Sequence, residues 1–347
     1  MTATTVNEAD ERVARVGFFR RLLLKPELGS LLGAVVIFVF FATQSSVFWH
    51  SSGIANWLDP ASTYGIMAVF VALLMIGGHF DLSAGVQLGT AGLTTAILTV
   101  QYHLVVWVAM LLSLLLTLAI GFVNGYLVVR TRLPSFIITL STFLMLQGLN
   151  LGLTKNITNT VSVSGIDSEP YFNGPEKLLA SQVTLFGQKY YIAILWWVLV
   201  TIAASYLLLR TRFGNWIFAV GGDDTSSRNV GVPANRTTIT LFMMVSAGAW
   251  LVGNIYLFRL TSLQANTGFG FELIYIAAAV IGGCLLTGGF GSAVGASVGA
   301  LIIGMTNQGI VYAGWNPDWF KFFLGALLLL AVLTNQVVRK YAEQTRR

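Results

Sequence analysis

Apolar runs of about 20 residues, separated by short polar or glycine-rich segments, recur along nearly the whole chain, and their continuity fits membrane helices, not the alternating strands of a barrel. The pattern predicts ten spans, at 28–49, 61–78, 83–100, 104–129, 134–153, 192–209, 237–258, 273–286, 292–311 and 320–338. The first would rise roughly 33 Å, enough to cross with some tilt. The expected fold is an all-α integral membrane protein of about ten transmembrane helices, interrupted by Gly-rich hinges that break helices. An even count puts both termini on one side.

Composition agrees: of 347 residues, 55% are hydrophobic and 10% charged, and the mean hydropathy is +0.75, against about 25% charged in a soluble domain. The net charge of +6 therefore reads first as a topology signal and not as a nucleic-acid surface. With the N-terminus inside, 15 of the 20 Lys and Arg residues fall on the cytoplasmic side, including Arg12, Arg15, Arg20, Arg21, Lys25, Arg346 and Arg347, and Lys155, Lys177, Lys189, Arg259 and Lys321 fall outside. That bias is the one the positive-inside rule expects. The polar first 25 residues, followed by a run too long for a signal sequence and without an A-x-A site, argue against a signal peptide. The expected organisation is a cytoplasmic tail at 1–27, a transmembrane unit at 28–338 and a second cytoplasmic tail at 339–347.

Two connections are long. The external one, 155–191, contains "GIDSEPYFNGPEKL" and predicts an irregular loop with a short interfacial helix. The cytoplasmic one, 210–236, reads "RTRFGNWIFAVGGDDTSSRNVGVPANR"; Gly221 and Gly222, the candidate caps Asp223 and Asp224, and a stop at Gly231 and Pro233 predict one short helix against the inner face.

Chemistry is sparse. There is no P-loop, no GxSxG, no HExxH and no Cys or His cluster, so neither a catalytic residue nor a metal site is expected, and no cofactor held by this chain. The single cysteine, Cys284, excludes a disulfide framework. The residues that stand out lie in "IGGHFDLSAGVQLG", 76–89, where Gly77 and Gly78 precede Asp81 and Ser83. Asp81 or Ser83 could cap the third span, which is the cheapest reading. Asp81 could instead titrate with His79 as a proton-coupling pair, or line a water-filled path. The stretch 76–92 is echoed at 281–299, where Gly282 and Gly283 open "IGGCLLTGGFGSAVGASVG"; paired glycine-interrupted segments point to a pathway between repeats. Gly291, Gly295 and Gly299, four apart, predict close packing on another helix or subunit, or else a wall of the substrate channel. Asn124, Gln147, Asn150 and Asn254 are amides inside spans, which either contact substrate hydroxyls or bond helix to helix. Glu272 is the second candidate carboxylate, though at the expected external mouth it could simply be solvated, and Trp49, Trp57, Trp315 and Trp319 are expected in interfacial belts.

Four blocks in order, "IGGHFDLSAG", "NGYLVVRTRLPSFIITLSTFLMLQGLNLGLT", "RTRFGNWIFAVGGDDTSSRNVGVP" and "TGFGFELIYIAAAVIGGCLLTGGFGSAVGASVGALIIG", resemble the permease subunits of monosaccharide ABC importers, of the ribose, xylose, galactose and autoinducer-2 type. The resemblance implies a bacterial inner-membrane half-transporter paired with a second permease copy, identical or related. It further implies ABC ATPase subunits inside, which hold ATP and Mg, and an external sugar-binding protein. Gly221, Gly222, Asp223, Asp224, Arg228 and Gly231 would then dock on the ATPase. The hinge departs from the family form in having His79 and Phe80 between the glycine pair and Asp-Leu-Ser, and the docking segment in having Asp-Asp where Asn and Glu are frequent. The remaining alternative, a proton-coupled secondary transporter, would use Asp81 and His79.

Overall fold

The computed structural model describes residues 26–344, with side chains over 27–334. The segments 1–25 and 345–347, which carry seven of the cytoplasmic basic residues expected above, lie outside the described residues. The helices are α1 (Pro26–Gln44), α2 (Ser51–Ile76), α3 (Ala84–Val100), α4 (Val106–Thr131), α5 (Ser135–Thr158), α6 (Asn173–Leu179), α7 (Ala193–Arg210), α8 (Arg212–Gly222), α9 (Asp224–Asn229), α10 (Ala234–Leu260), α11 (Phe271–Ile281), α12 (Ala293–Tyr312) and α13 (Phe320–Gln344). Among them, seven are long and apolar enough to cross a membrane, namely α1, α2, α4, α5, α7, α10 and α12, and three further apolar segments are shorter: α3, α11 and 319–334.

Differences from the sequence pattern have local causes. The second span begins at Ser51 and not at 61, because the helix runs through Pro60. A proline removes one donor but keeps a helical φ, and the Ser62 and Thr63 hydroxyls donate to the Asp59 and Pro60 carbonyls at 2.7 and 3.1 Å. The eighth span, expected to reach 286, stops at Ile281. Gly283, at φ +93, accepts the left-handed turn that closes the helix, with Gly283 N–H donating to Val280 O and Cys284 N–H to Ala279 O. Its 11 residues rise about 16 Å, half a hydrocarbon core.

Helix α2 is the axis of the bundle. From Ile66 to Ile76 it is buried almost all round, as befits a helix apolar on every face. It packs on α12, while α10 packs on α3 and α4, and α1 packs on α12. Each glycine hinge thus leads into a helix, α3 or α12, that is covered by the helix opening the other half of the chain, α10 or α1. Helices α1, α5 and α7 are peripheral and turn apolar side chains outward. Trp57, expected in an interfacial belt, is instead buried and donates its indole N–H to Phe48 O at 3.1 Å, whereas Trp49 and Trp319 are exposed.

The segment expected as an irregular external loop also holds strands that the pattern did not predict. β1 (Ser162–Ser164) pairs antiparallel with β4 (Ser262–Gln264), and β2 (Gln182–Leu185) with β3 (Gln188–Tyr191). The hairpin turns on Phe186 and Gly187, both at positive φ, the geometry of a tight two-residue loop. Tyr190 Oη donates to Ser51 O, and Arg259 forms a two-pronged ion pair with Asp59 while its guanidinium lies 3.9 Å from the Tyr191 ring centre. These contacts gather the segments expected outside at one end of the bundle.

Candidate functional site

At the opposite end, the two glycine hinges have the same backbone plan. Gly78, at φ +84, closes α2 with Gly78 N–H to Met75 O and His79 N–H to Leu74 O, matching residue for residue the bonds at Gly283 and Cys284 that close α11. Gly282 then packs on the start of α12: a Cβ there would meet the backbone of Gly295 and Ala296. Gly295 and Gly299 in turn abut the carbonyls of Gly282 and Ala278, which is the close packing their spacing predicts. Gly291 lies in the loop before α12, against Cys284.

Asp81 does not cap α3. Its Oδ1 accepts from Ser83 N–H at 2.8 Å and Ser83 Oγ at 2.5 Å, its Oδ2 from Gln87 Nε2 at 3.3 Å, and neither Asp81 nor Ser83 reaches an N–H of the first helical turn. Gln87 Nε2 also donates to Ser83 Oγ at 2.7 Å, Ser246 Oγ to Gln87 Oε1 at 2.6 Å, Asn124 Nδ2 to Ser83 Oγ at 3.1 Å and Thr142 Oγ1 to Asn124 Oδ1 at 2.6 Å. All six residues are buried. The carboxylate is therefore the root of a network that ties the start of α3 to α4, α5 and α10. Gln87, Thr142 and Ser246 were not singled out from the sequence; the only trace there is the Ser83–Gln87 spacing of one helical turn. His79 takes no part: its Nε2 lies 3.3 Å from Thr238 Oγ1 and its ring packs on Phe242. Among the described residues no hydrogen bond joins His79 to Asp81, so a proton-coupling pair finds no support.

The segment 210–236 forms two helices where one was expected. Thr211 Oγ1 accepts from Gly214 N–H to open α8, and Asp223, extended at φ −159, separates α8 from α9. Asp223 Oδ1 accepts from Thr225 and Ser226 N–H at 2.9 and 3.1 Å, and Oδ2 from Ser226 Oγ at 2.9 Å. The Ser226 backbone and hydroxyl bonds hold the Asp223 carboxyl below its ordinary value. Asp224 is the first residue of α9 and bonds Arg228 Nε at 2.9 Å, a pair open to solvent. Gly231, at φ +84, follows. The surface from Gly222 to Val230 is exposed apart from Ser227.

The end of α8 wedges between both hinges. A Cβ at Gly221 would overlap Ile76 O and come within 2.7 Å of Gly289 N; one at Gly288 would lie 2.7 Å from Gly221 O and Gly78 Cα; one at Gly289 would lie 2.9 Å from Gly222 Cα. Gly289 N–H donates to Ile76 O at 2.8 Å. Backbone thus touches backbone between hinge one, the end of α8 and the loop that follows hinge two.

The four amides do not converge. Asn124 belongs to the network above, and Asn150 Nδ2 points at Val86 O, 3.5 Å away on the first turn of α3. Asn254 donates to Trp250 O of its own helix at 2.8 Å, with its Oδ1 buried and unpartnered. Gln147 is half-buried, and among the described residues its side chain has no hydrogen bond. Glu272, expected in solvent, is buried at 8% exposure, with Oε2 against the Cα of Gly85.

A family profile described as branched-chain amino acid transport system / permease component matches residues 53–332. The Escherichia coli (strain K12) ribose import permease protein RbsC is 33% identical over 312 residues, 89% of this chain and 93% of that protein. The galactose/methyl galactoside import permease protein MglC of the same organism is 28% identical over 90% of this chain and 93% of its own length. The inner membrane ABC transporter permease protein YjfF, also from that organism, is 30% identical over 87% and 89%. No solved structure gives a significant match.

Proposed function

The chain belongs to the branched-chain amino acid transport system / permease component family, and from that premise we propose that it is the permease subunit of an ATP-binding-cassette importer for a monosaccharide or polyol. As a permease subunit it is not itself an enzyme; ATP and Mg are held by partner ATPase subunits. Sugar import is favoured by the relatives named above, whose names specify ribose and galactose. In this reading the protein sits in a bacterial inner membrane with about ten membrane segments and both ends of the chain inside. It works with a second permease copy and receives substrate from an external sugar-binding protein.

The observation that carries the mechanism is the lodging of Gly221 between the two hinges. ATP-driven motion of an ATPase docked on 222–231 would move α9, and Asp223 would carry that motion into α8. The end of α8 meets Ile76 of one half and Gly288–Gly289 of the other, so one displacement biases both broken helices together, as alternating access requires. Asp223, Asp224 and Arg228 act here as docking and shaping groups. Gly77, Gly78, Gly282 and Gly283 are the pivots, and Asp81 with Ser83 anchors the helix beyond the first. Asn124, Gln147, Asn150 and Asn254 enter only as pathway candidates.

The test is uptake into proteoliposomes holding this chain with its ATPase, supplied with the binding protein and radiolabelled ribose, galactose or leucine. ATP-dependent uptake of either sugar is expected. Uptake of leucine alone would favour branched-chain amino acid transport over sugar transport, and uptake driven by a proton gradient without the ATPase would overturn the importer reading.

A further inference from the structure

Two helices begin inside the bundle beside each other. α11 starts after Gly270, at φ +83, about 16 Å from its own hinge, and α3 starts at Ala84. The carbonyl of Gly268 and the N–H and carboxylate of Glu272 lie directly against Gly85, where a Cβ would collide with all three. Discontinuous helices meeting near mid-membrane are where transporters place substrate.

Helix N-termini alone specify nothing, but α11 adds two orphaned polar atoms. Among the described residues, Glu272 Oε2 and Tyr275 Oη are buried without a hydrogen-bond partner, while the Glu272 carboxylate also accepts from the backbone N–H groups of Gly270 and Glu272. The residues are three apart, on consecutive turns of one face. Tyr275 belongs to an aromatic cluster beside the same turns: Tyr64 lies 5.9 Å from Phe271 and 6.5 Å from Tyr275, Tyr256 lies 6.2 Å from Phe271, and Phe271 6.2 Å from Tyr275. An unpartnered carboxylate oxygen and an unpartnered phenol beside aromatic faces are the groups with which a small-molecule site would hold a polar ligand.

We propose that Glu272 and Tyr275 form a sugar-contact subsite of the transport path, the carboxylate oxygen accepting from a substrate hydroxyl and the phenol bonding its neighbour, while Tyr64, Tyr256 and Phe271 face the ring. The subsite is closed in this conformation and opens when the halves move. A neutral polyhydroxylated ligand suits it, since it offers donors to the carboxylate and an apolar C–H face to the rings. The assignment rests on the importer reading above and names where that importer touches its cargo.

The test replaces Glu272→Gln and Tyr275→Phe singly in the full chain, in its native host with the chromosomal copy exchanged. Uptake of radiolabelled ribose and galactose is read beside retention of the ATPase on the purified chain. Each variant is expected to lower maximal uptake about tenfold and to alter the ratio of ribose to galactose uptake, with ATPase retention unchanged. A changed ratio is a readout that a folding defect does not move. Uptake and ratio equal to wild type in both variants overturn the subsite, as does loss of uptake in step with loss of the ATPase at an unchanged ratio. Failure of the wild type to import either sugar with ATP would remove the importer reading itself, and the subsite with it.

Discussion

Gly289 donates its backbone N–H to the carbonyl of Ile76 across 2.8 Å, and Gly221 packs against this bond with no room for a side chain. Residues more than 200 positions apart in the sequence thereby share one junction.

Gly221→Ala places a methyl group against that carbonyl. Overpacking of this kind costs about 1–3 kcal/mol, and thermal unfolding of the purified protein should show it. Uptake should fall further than the loss of folded protein explains, because the methyl also separates α8 from the hinge. Gly222→Ala, which meets nothing within 4 Å, should leave the melting temperature unchanged.

Asp223 caps α9 as a carboxylate. Because its folded value is depressed, the stabilisation is present above the unfolded value and is lost as pH falls through the folded one. Retention of the ATPase on the permease should therefore hold from neutral pH down to the ordinary carboxylate value of 3.8. Asp223→Ala should weaken retention across that range, and Asp223→Ser, which keeps a capping oxygen, should restore much of it.

Both oxygens of Asp81 are acceptors, so Asp81→Asn sets an amide donor against Gln87 Nε2. The mismatch should lower stability by about 1–3 kcal/mol. Adding Gln87→Glu gives the new amide an acceptor, and the double variant should recover part of the loss. Melting temperatures of the four-member cycle measure the coupling; additive losses would show that the Asp81–Gln87 bond contributes nothing.

Arg259 and Asp59 pair at the end where the β2–β3 hairpin meets α2. Removing one partner leaves a mostly buried charge, and Arg259→Ala should destabilise by about 3 kcal/mol. It should also expose the Gln182–Tyr191 hairpin to limited proteolysis, since the Tyr191 contact is lost with it. Arg259→Lys, which lacks the two-pronged geometry, should fall between.

The sequence alone determined the helical membrane architecture, because apolar runs of spanning length admit no other solution in lipid. It also marked both glycine hinges and the Asp223 cap, since turn and cap preferences act within a few residues. Tertiary structure decided the rest. Asp81 reads as a helix cap in one dimension because Ser83 follows it, yet its partners include Gln87, and through Ser83 and Gln87 the network reaches Asn124 and Ser246 on other helices. Glu272 reads as solvated because a polar loop precedes it, yet that loop enters the bundle against Gly85. Whether a polar group is capped, bridged or orphaned depends on which helices surround it, and those neighbours lie 40 to 190 residues away in the chain, beyond the reach of any local pattern.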